Sequence, residues 1–192
     1  MKQYISKSKS KDPEIIEKAL DDLGDLNPDN ALELILPFLN HHSKEVRETA
    51  VCNLGEINNE KAISYIIEKA KNDEESVRKH AFKALEEYNS PQIFKTLINE
   101  VYQEKKSRGP RQIIAEQLRN YPSRESQKAL IYLILNDDDY FVFIPAIDSL
   151  YSMNDKTLLD TWKKIDALYN HDYVNSVAKR AIEDIEKVKN DD

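Results

Sequence analysis

The chain has 192 residues, with 35 Asp/Glu against 28 Lys/Arg and a formal charge of -7 at neutral pH. That balance argues against a general binder of nucleic acid or anionic membrane, since both need a net basic surface. Three glycines and seven prolines leave little room for the tight turns of a β-sandwich or barrel, and a single cysteine excludes an intramolecular disulfide framework.

Residues 1–11 carry four lysines among serines with no apolar segment behind them, which predicts a flexible basic leader and not a secretory signal peptide. From there the apolar spacing predicts helices throughout. A lone helix over 13–25 is followed by a run over 30–40 that is apolar almost all round, suited to a helix sandwiched between neighbours. Residues 44–56 place Val46, Ala50, Leu54 and Ile57 on one stripe with charges elsewhere. The plan then repeats as pairs: 60–71 with 75–88, 91–105 with 111–121, 125–135 with 140–153, and 156–169 with 173–189. Ser90 before Pro91 is a helix start, because proline is tolerated in a first turn. Asn40, Asn72, Asn136 and Asn170 stand before the second helices, where their side chains can close a turn onto backbone N–H groups.

One pattern recurs six times, anchored at Ile15, Val46, Val77, Pro110, Val142 and Val177, with intervals of 31, 31, 33, 32 and 35 residues. In four copies a small residue follows four positions on and a leucine four after that: Ala19/Leu23, Ala50/Leu54, Ala81/Leu85 and Ala146/Leu150. Ile114/Leu118 and Ala181/Ile185 are looser versions. A period of this size marks stacked helical hairpins, none of which can bury its apolar stripe alone. The expected fold is all-α, a right-handed α-solenoid of about five to six hairpins. It forms one domain over 12–192, with units near 12–28, 29–59, 60–89, 90–122, 123–154 and 155–192.

The run from Asn40 to Gly55, with Val46-Arg47, Ala50 and Leu54-Gly55, resembles the HEAT repeat. It is similar in particular to the short bacterial HEAT-like repeats of the phycobilin lyase type, and Val77-Arg78, Ala81 and Leu85 follow the same pattern. The resemblance implies a curved array whose second helices line the concave face. It also implies a structural arginine, bonded to a turn carboxylate or carbonyl, at Arg47 and Arg78. Lyase activity is not implied.

Charge is unevenly spread. Residues 12–60 hold 12 Asp/Glu against 3 Lys/Arg, 61–128 hold 10 against 14, and 129–192 hold 13 against 7. With a buried anchor, the outward positions of the first two units are Glu14, Glu17, Lys18, Asp21, Asp22 and Asp25, then Glu45, Glu48, Thr49, Cys52, Asn53 and Glu56. This is a carboxylate stripe, readable as a docking face for a basic protein or as an ordinary solvated face. In the fifth unit Phe141 and Ile144 fall outward, readable as a binding anchor or as packing against the last unit, and Phe143 reads as core. Tyr140 and Tyr173 read as rim contacts or interhelical filler, and Trp162 as core.

Other constellations are bland. Adjacent His41-His42 cannot face one metal from a helix, and Asp137-Asp138-Asp139 reads as a helix cap, lacking the glycine and terminal glutamate of a calcium loop. Cys52 has no activating neighbour in sequence, and the cluster from Lys105 to Arg111 reads as a solvated loop. The expected function is a non-enzymatic, cytoplasmic, monomeric protein-binding module without cofactor or metal. Its partner is a basic protein, in a specific version a bacterial toxin that it neutralises. Glu17, Asp21, Asp22, Glu45 and Glu48 pair with the partner's cations, and Phe141 and Ile144 anchor it. The alternative is a phycobilin-lyase-like or other HEAT-repeat enzyme or chaperone handling a small ligand.

Overall fold

The structure is a computed structural model, which describes residues 9–26, 28–103 and 107–191, the last three of these by backbone alone. Most of the leader therefore lies outside the described residues. Among the described residues there are eleven α-helices and no strands. They are α1 (Pro13–Leu26), α2 (Ala31–Ile35), α3 (Lys44–Glu56), α4 (Ile63–Asn72), α5 (Glu75–Ala84) and α6 (Pro91–Gln103). The chain continues with α7 (Arg108–Gln117), α8 (Arg124–Asn136), α9 (Tyr140–Ser152), α10 (Leu159–Leu168) and α11 (Asp172–Asp191). Short 3-10 turns extend the helix ends, as at Leu36–Asn40, Leu85–Glu87 and Leu118–Asn120.

The contacts cluster into two compact units, Met1–Ile113 and Ile114–Asp192, divided within α7. In the first unit α3 packs against both α1 and α5, so the second helices form one layer. The first helices α2 and α4 lie against their own second helices, α3 and α5, and α4 also meets α6. In the second unit α8 pairs with α9 and α10 with α11, and α9 meets α11.

The repeat positions explain this packing. Val46, Ala50 and Leu54 are fully buried, as are Val77, Ala81 and Leu85, and Val142 and Ala146. The alanines let the facing helices approach, and the branched residues fill the space between them. Gly55 carries the close approach furthest, since a Cβ there would stand 3.1 Å from the Ala84 Cα. Start signals work locally: Ser43 Oγ accepts from Val46 N, Ser123 Oγ from Ser126 N, and Ser90 Oγ from Gln92 N.

Three expectations are corrected here. Residues 30–40 are not one α-helix, because Pro37 has no N–H for the α-helical ladder and the chain tightens to a 3-10 turn from Leu36. Ile15 is 42% exposed, and the burial passes to Ile16 at 2%. The face that α1 buries against α3 carries Ile16, Ala19, Leu20 and Leu23, which leaves Ile15 beside it. Asn40 and Asn136 do not close turns onto backbone N–H groups. Asn40 accepts from Lys69 Nζ at 2.9 Å, and Asn136 donates to the Tyr132 carbonyl at 2.8 Å.

Candidate functional site

The outward faces of the second helices differ between the two units. In the first unit, α1 and α3 lie side by side and bring their carboxylates together. Glu17 and Glu48 are half-buried, while Asp21 and Glu45 are exposed. Burial pushes the Glu17 carboxyl above its ordinary value, and the charges of Glu45, Asp21, Glu14 and Glu48 push it the same way. Glu17 therefore sits among like charges from two helices. Among the described residues, Glu17, Asp21, Glu45 and Glu48 form no ion pair with Lys or Arg. Ser43 Oγ donates to Glu45, and Ser76 Oγ on α5 donates to Glu48 Oε1. Asp22 is half-buried on the same helix.

Asn53 was expected outward but is 2% exposed. Its Nδ2 donates to the Thr49 carbonyl at 2.9 Å, and its Oδ1 is turned onto Gly24, where a Cβ would come within 2.1 Å. The missing side chain at Gly24 is what lets the amide tuck between α1 and α3. Sequence periodicity could not find this, because the signal is a glycine on another helix.

Cys52 is half-buried in the same face. Burial, followed by the charges of Glu56, Glu48 and Asp21, pushes its thiol up to about 11. At pH 8 the thiolate fraction is then about a hundredfold below that of an ordinary cysteine. Iodoacetamide should accordingly modify the native protein about a hundredfold more slowly than the urea-unfolded chain. Equal rates, followed by mass spectrometry, would contradict this geometry.

In the second unit, α9 presents Tyr140 and Phe141, 48% and 51% exposed, with Ile144 half-buried beside them. Tyr140 meets Phe141 edge-on at 5.8 Å, Phe143 at 5.8 Å and His171 at 5.4 Å. Phe143 is core, 8% exposed, and backs onto Tyr169 at 5.5 Å. At the start of α11, Tyr173 donates its hydroxyl to Asp148 Oδ1 of α9 at 2.6 Å. That bond, then burial and the nearby Asp148 and Tyr140, push the Tyr173 phenol above its ordinary range. The contact joins residues 25 apart, and no sequence motif signals it.

The remaining candidates resolve into structure. Arg47 bonds Asp73 through Nε and Nη2 at 3.1 and 2.9 Å, the His41 carbonyl at 2.9 Å, and Glu74 at 2.7 Å. Arg78 donates to the Ala70 carbonyl at 2.9 Å and pairs with Glu100 at 3.6 Å. Both arginines are structural. Asp139 Oδ1 accepts from Phe141 N, and Asp137 Oδ1 from Asp139 N, so the aspartate run caps α9. His41 Nδ1 accepts from Ser43 N, which is part of the same turn. Within the basic cluster, Arg108 to Arg111 belong to α7 and not to a loop, while Lys105 and Lys106 lie outside the described residues. Trp162 is core at 2% exposure. Among the described residues, no group of three or more His, Cys, Asp or Glu side chains is placed to hold a metal, and no helix is long and apolar enough to cross a membrane.

Helical hairpins at a period near thirty residues, with a buried valine–alanine–leucine stripe and a structural arginine, define an all-α helical-repeat protein. The family model for HEAT repeats matches residues 3–86 and 32–106, and the chain belongs to that family. Among solved structures it is similar to an engineered protein at 18% identity, with 96% of each chain covered and a TM-score of 0.58. It is also similar to the complex of CpcE and CpcF of phycocyanin lyase from Nostoc sp. PCC7120, at 20% identity and a TM-score of 0.63, over 92% of this chain and 73% of that one. Identities this low show the fold alone. No curated protein matches the chain.

Proposed function

We propose that this HEAT-repeat chain is a protein-binding module whose partner carries a basic surface. The observation that carries the reading is the crowding of Glu14, Asp21, Glu45 and Glu48 around Glu17 on the α1–α3 face, where burial raises the Glu17 carboxyl and their charges push it the same way. Crowded carboxylates oppose one another in the free protein, and an approaching Lys or Arg side chain relieves that repulsion as it binds. Such a field also steers a cationic partner into contact and weakens as salt screens it. Asp22 contributes to the same face, while Phe141 and Ile144 of the second unit supply an apolar anchor of the kind that carries binding energy. A scaffold of stacked hairpins suits this use, because its surface is extended and needs no catalytic group. The finer reading is that the partner is a basic toxin which the chain neutralises by covering it.

The test is capture from host lysate by the immobilised wild type and by the triple variant Asp21→Lys, Asp22→Lys, Glu48→Lys, at low and high salt. The expected result is a basic protein held by the wild type, released by salt, and missing from the variant. The same protein held equally by both would overturn the electrostatic reading. For the toxin version, growth arrest by the captured protein should be relieved by co-expression of this chain.

A further inference from the structure

We propose that the patch formed by Tyr140, Phe141, Tyr173 and Asp148 in the second unit is a receptor for an arginine side chain on the partner, with Ile144 taking an adjacent aliphatic residue. The proposal deepens the protein-binding reading above and rests on it. Three large rings stand 43–51% exposed at the start of α9 and of α11, a larger apolar surface than solvent alone favours.

The rings are already held in place. Tyr140 is braced by Phe141, Phe143 and His171, and Tyr173 is fixed by its hydrogen bond to Asp148. Rigid aromatic side chains lose little freedom on binding, so a contact made here costs little ordering.

Charge decides which partner fits. Tyr173 donates to only one oxygen of Asp148, and a carboxylate can accept several hydrogen bonds at once. Asp138 and Asp172, both exposed, flank the two helix starts in sequence. Arg180 acts electrostatically on both Tyr173 and Tyr151, and Tyr151 donates to Asp184. An anionic segment would be repelled by these carboxylates. A purely apolar one would desolvate Asp148 and return only the Tyr173 hydrogen bond. A guanidinium satisfies both demands, because its plane stacks on an aromatic face while its edge donates to a carboxylate. Lysine offers only a point charge.

The test uses the full chain and two fluorescein-labelled peptides, Gly-Ser-Leu-Arg-Leu-Ser-Gly and its twin with uncharged citrulline in place of arginine. Fluorescence anisotropy should show the arginine peptide binding about fivefold more tightly than the twin. The double variant Tyr140→Ala, Phe141→Ala should erase that ratio. Asp148→Asn, which keeps the shape of the side chain, should erase it as well. Glu87→Gln, at an exposed carboxylate outside both the patch and the acidic face, should leave it standing. Equal binding of the twins, no binding of either, or a ratio that survives both patch variants would overturn the proposal. Failure of the acidic face would instead leave this ratio intact and show as lysate capture insensitive to charge reversal at Asp21, Asp22 and Glu48.

Discussion

Replacing Asp73 by alanine should cost the fold about 3–5 kcal/mol, the loss expected when one partner of a buried ion pair is removed and the other charge is left behind. The Asp73 side chain is only 7% exposed and Arg47 11%, so water cannot substitute for the missing carboxylate. Asp73 also accepts from Lys69 Nζ at 3.2 Å, and Lys69 is itself 9% exposed. Two cations would therefore lose their common counter-charge. Arg47 would keep the exposed Glu74 at 2.7 Å and its bonds to the His41 and His42 carbonyls, and Lys69 its bond to Asn40 and the exposed Glu68 at 3.7 Å, which sets a limit on the damage. Urea unfolding followed by circular dichroism measures the loss. Hydrogen exchange should place the lost protection in α3, α4 and α5, the helices that the network ties together. A cost below about 1 kcal/mol would mean that the pair behaves as an exposed one.

The same site gives a pH dependence of definite sign. Burial alone would raise the Asp73 carboxyl, but the hydrogen bonds from Arg47, the Glu74 N–H and Lys69 outweigh it and hold the carboxyl below the ordinary value of 3.8. A group whose pKa is lowered by folding contributes stability above its unfolded pKa and loses it as pH falls through the folded one. The gap between wild type and Asp73→Ala should therefore be full near neutrality and close as acid protonates Asp73 below 3.8. A gap that widened in acid would contradict the network.

Trp162→Ala should cost a similar amount in the second unit, about 3–5 kcal/mol, as lost burial and the cavity left behind add together. Trp162 is 2% exposed, meets Tyr151 edge-on at 6.3 Å, and packs beside Leu150, Ala181 and Ile185. It sits on α10 beside side chains of both α9 and α11. Trp162→Phe should recover part of the loss. The chain has one tryptophan, so wild-type unfolding can be read from its fluorescence and the variants from circular dichroism. An alanine variant within about 1 kcal/mol of wild type would show that the site collapses freely.

The repeat is legible in the residues alone. Val46, Ala50 and Leu54, and their counterparts from Val77 and Val142, had to lie on one stripe because the helical period puts residues four apart on one face. The helix start at Ser90-Pro91 was legible for the same reason, since caps act over three or four residues. The cores at Phe143 and Trp162 followed from that register. Tertiary structure alone decided whatever depends on the neighbouring repeat. Ile15 has the anchor's sequence position, but the packing of α1 on α3 gives the burial to Ile16. Asn53 is outward by period and buried in fact, because Gly24 on α1 leaves room for it. Arg47 finds Asp73 twenty-six residues on, and Tyr173 finds Asp148 twenty-five back, both across packed helices. Local periodicity says which face of a helix is apolar. Which polar groups meet is set by the stacking of one hairpin on the next, and that geometry is written in no single segment of the chain.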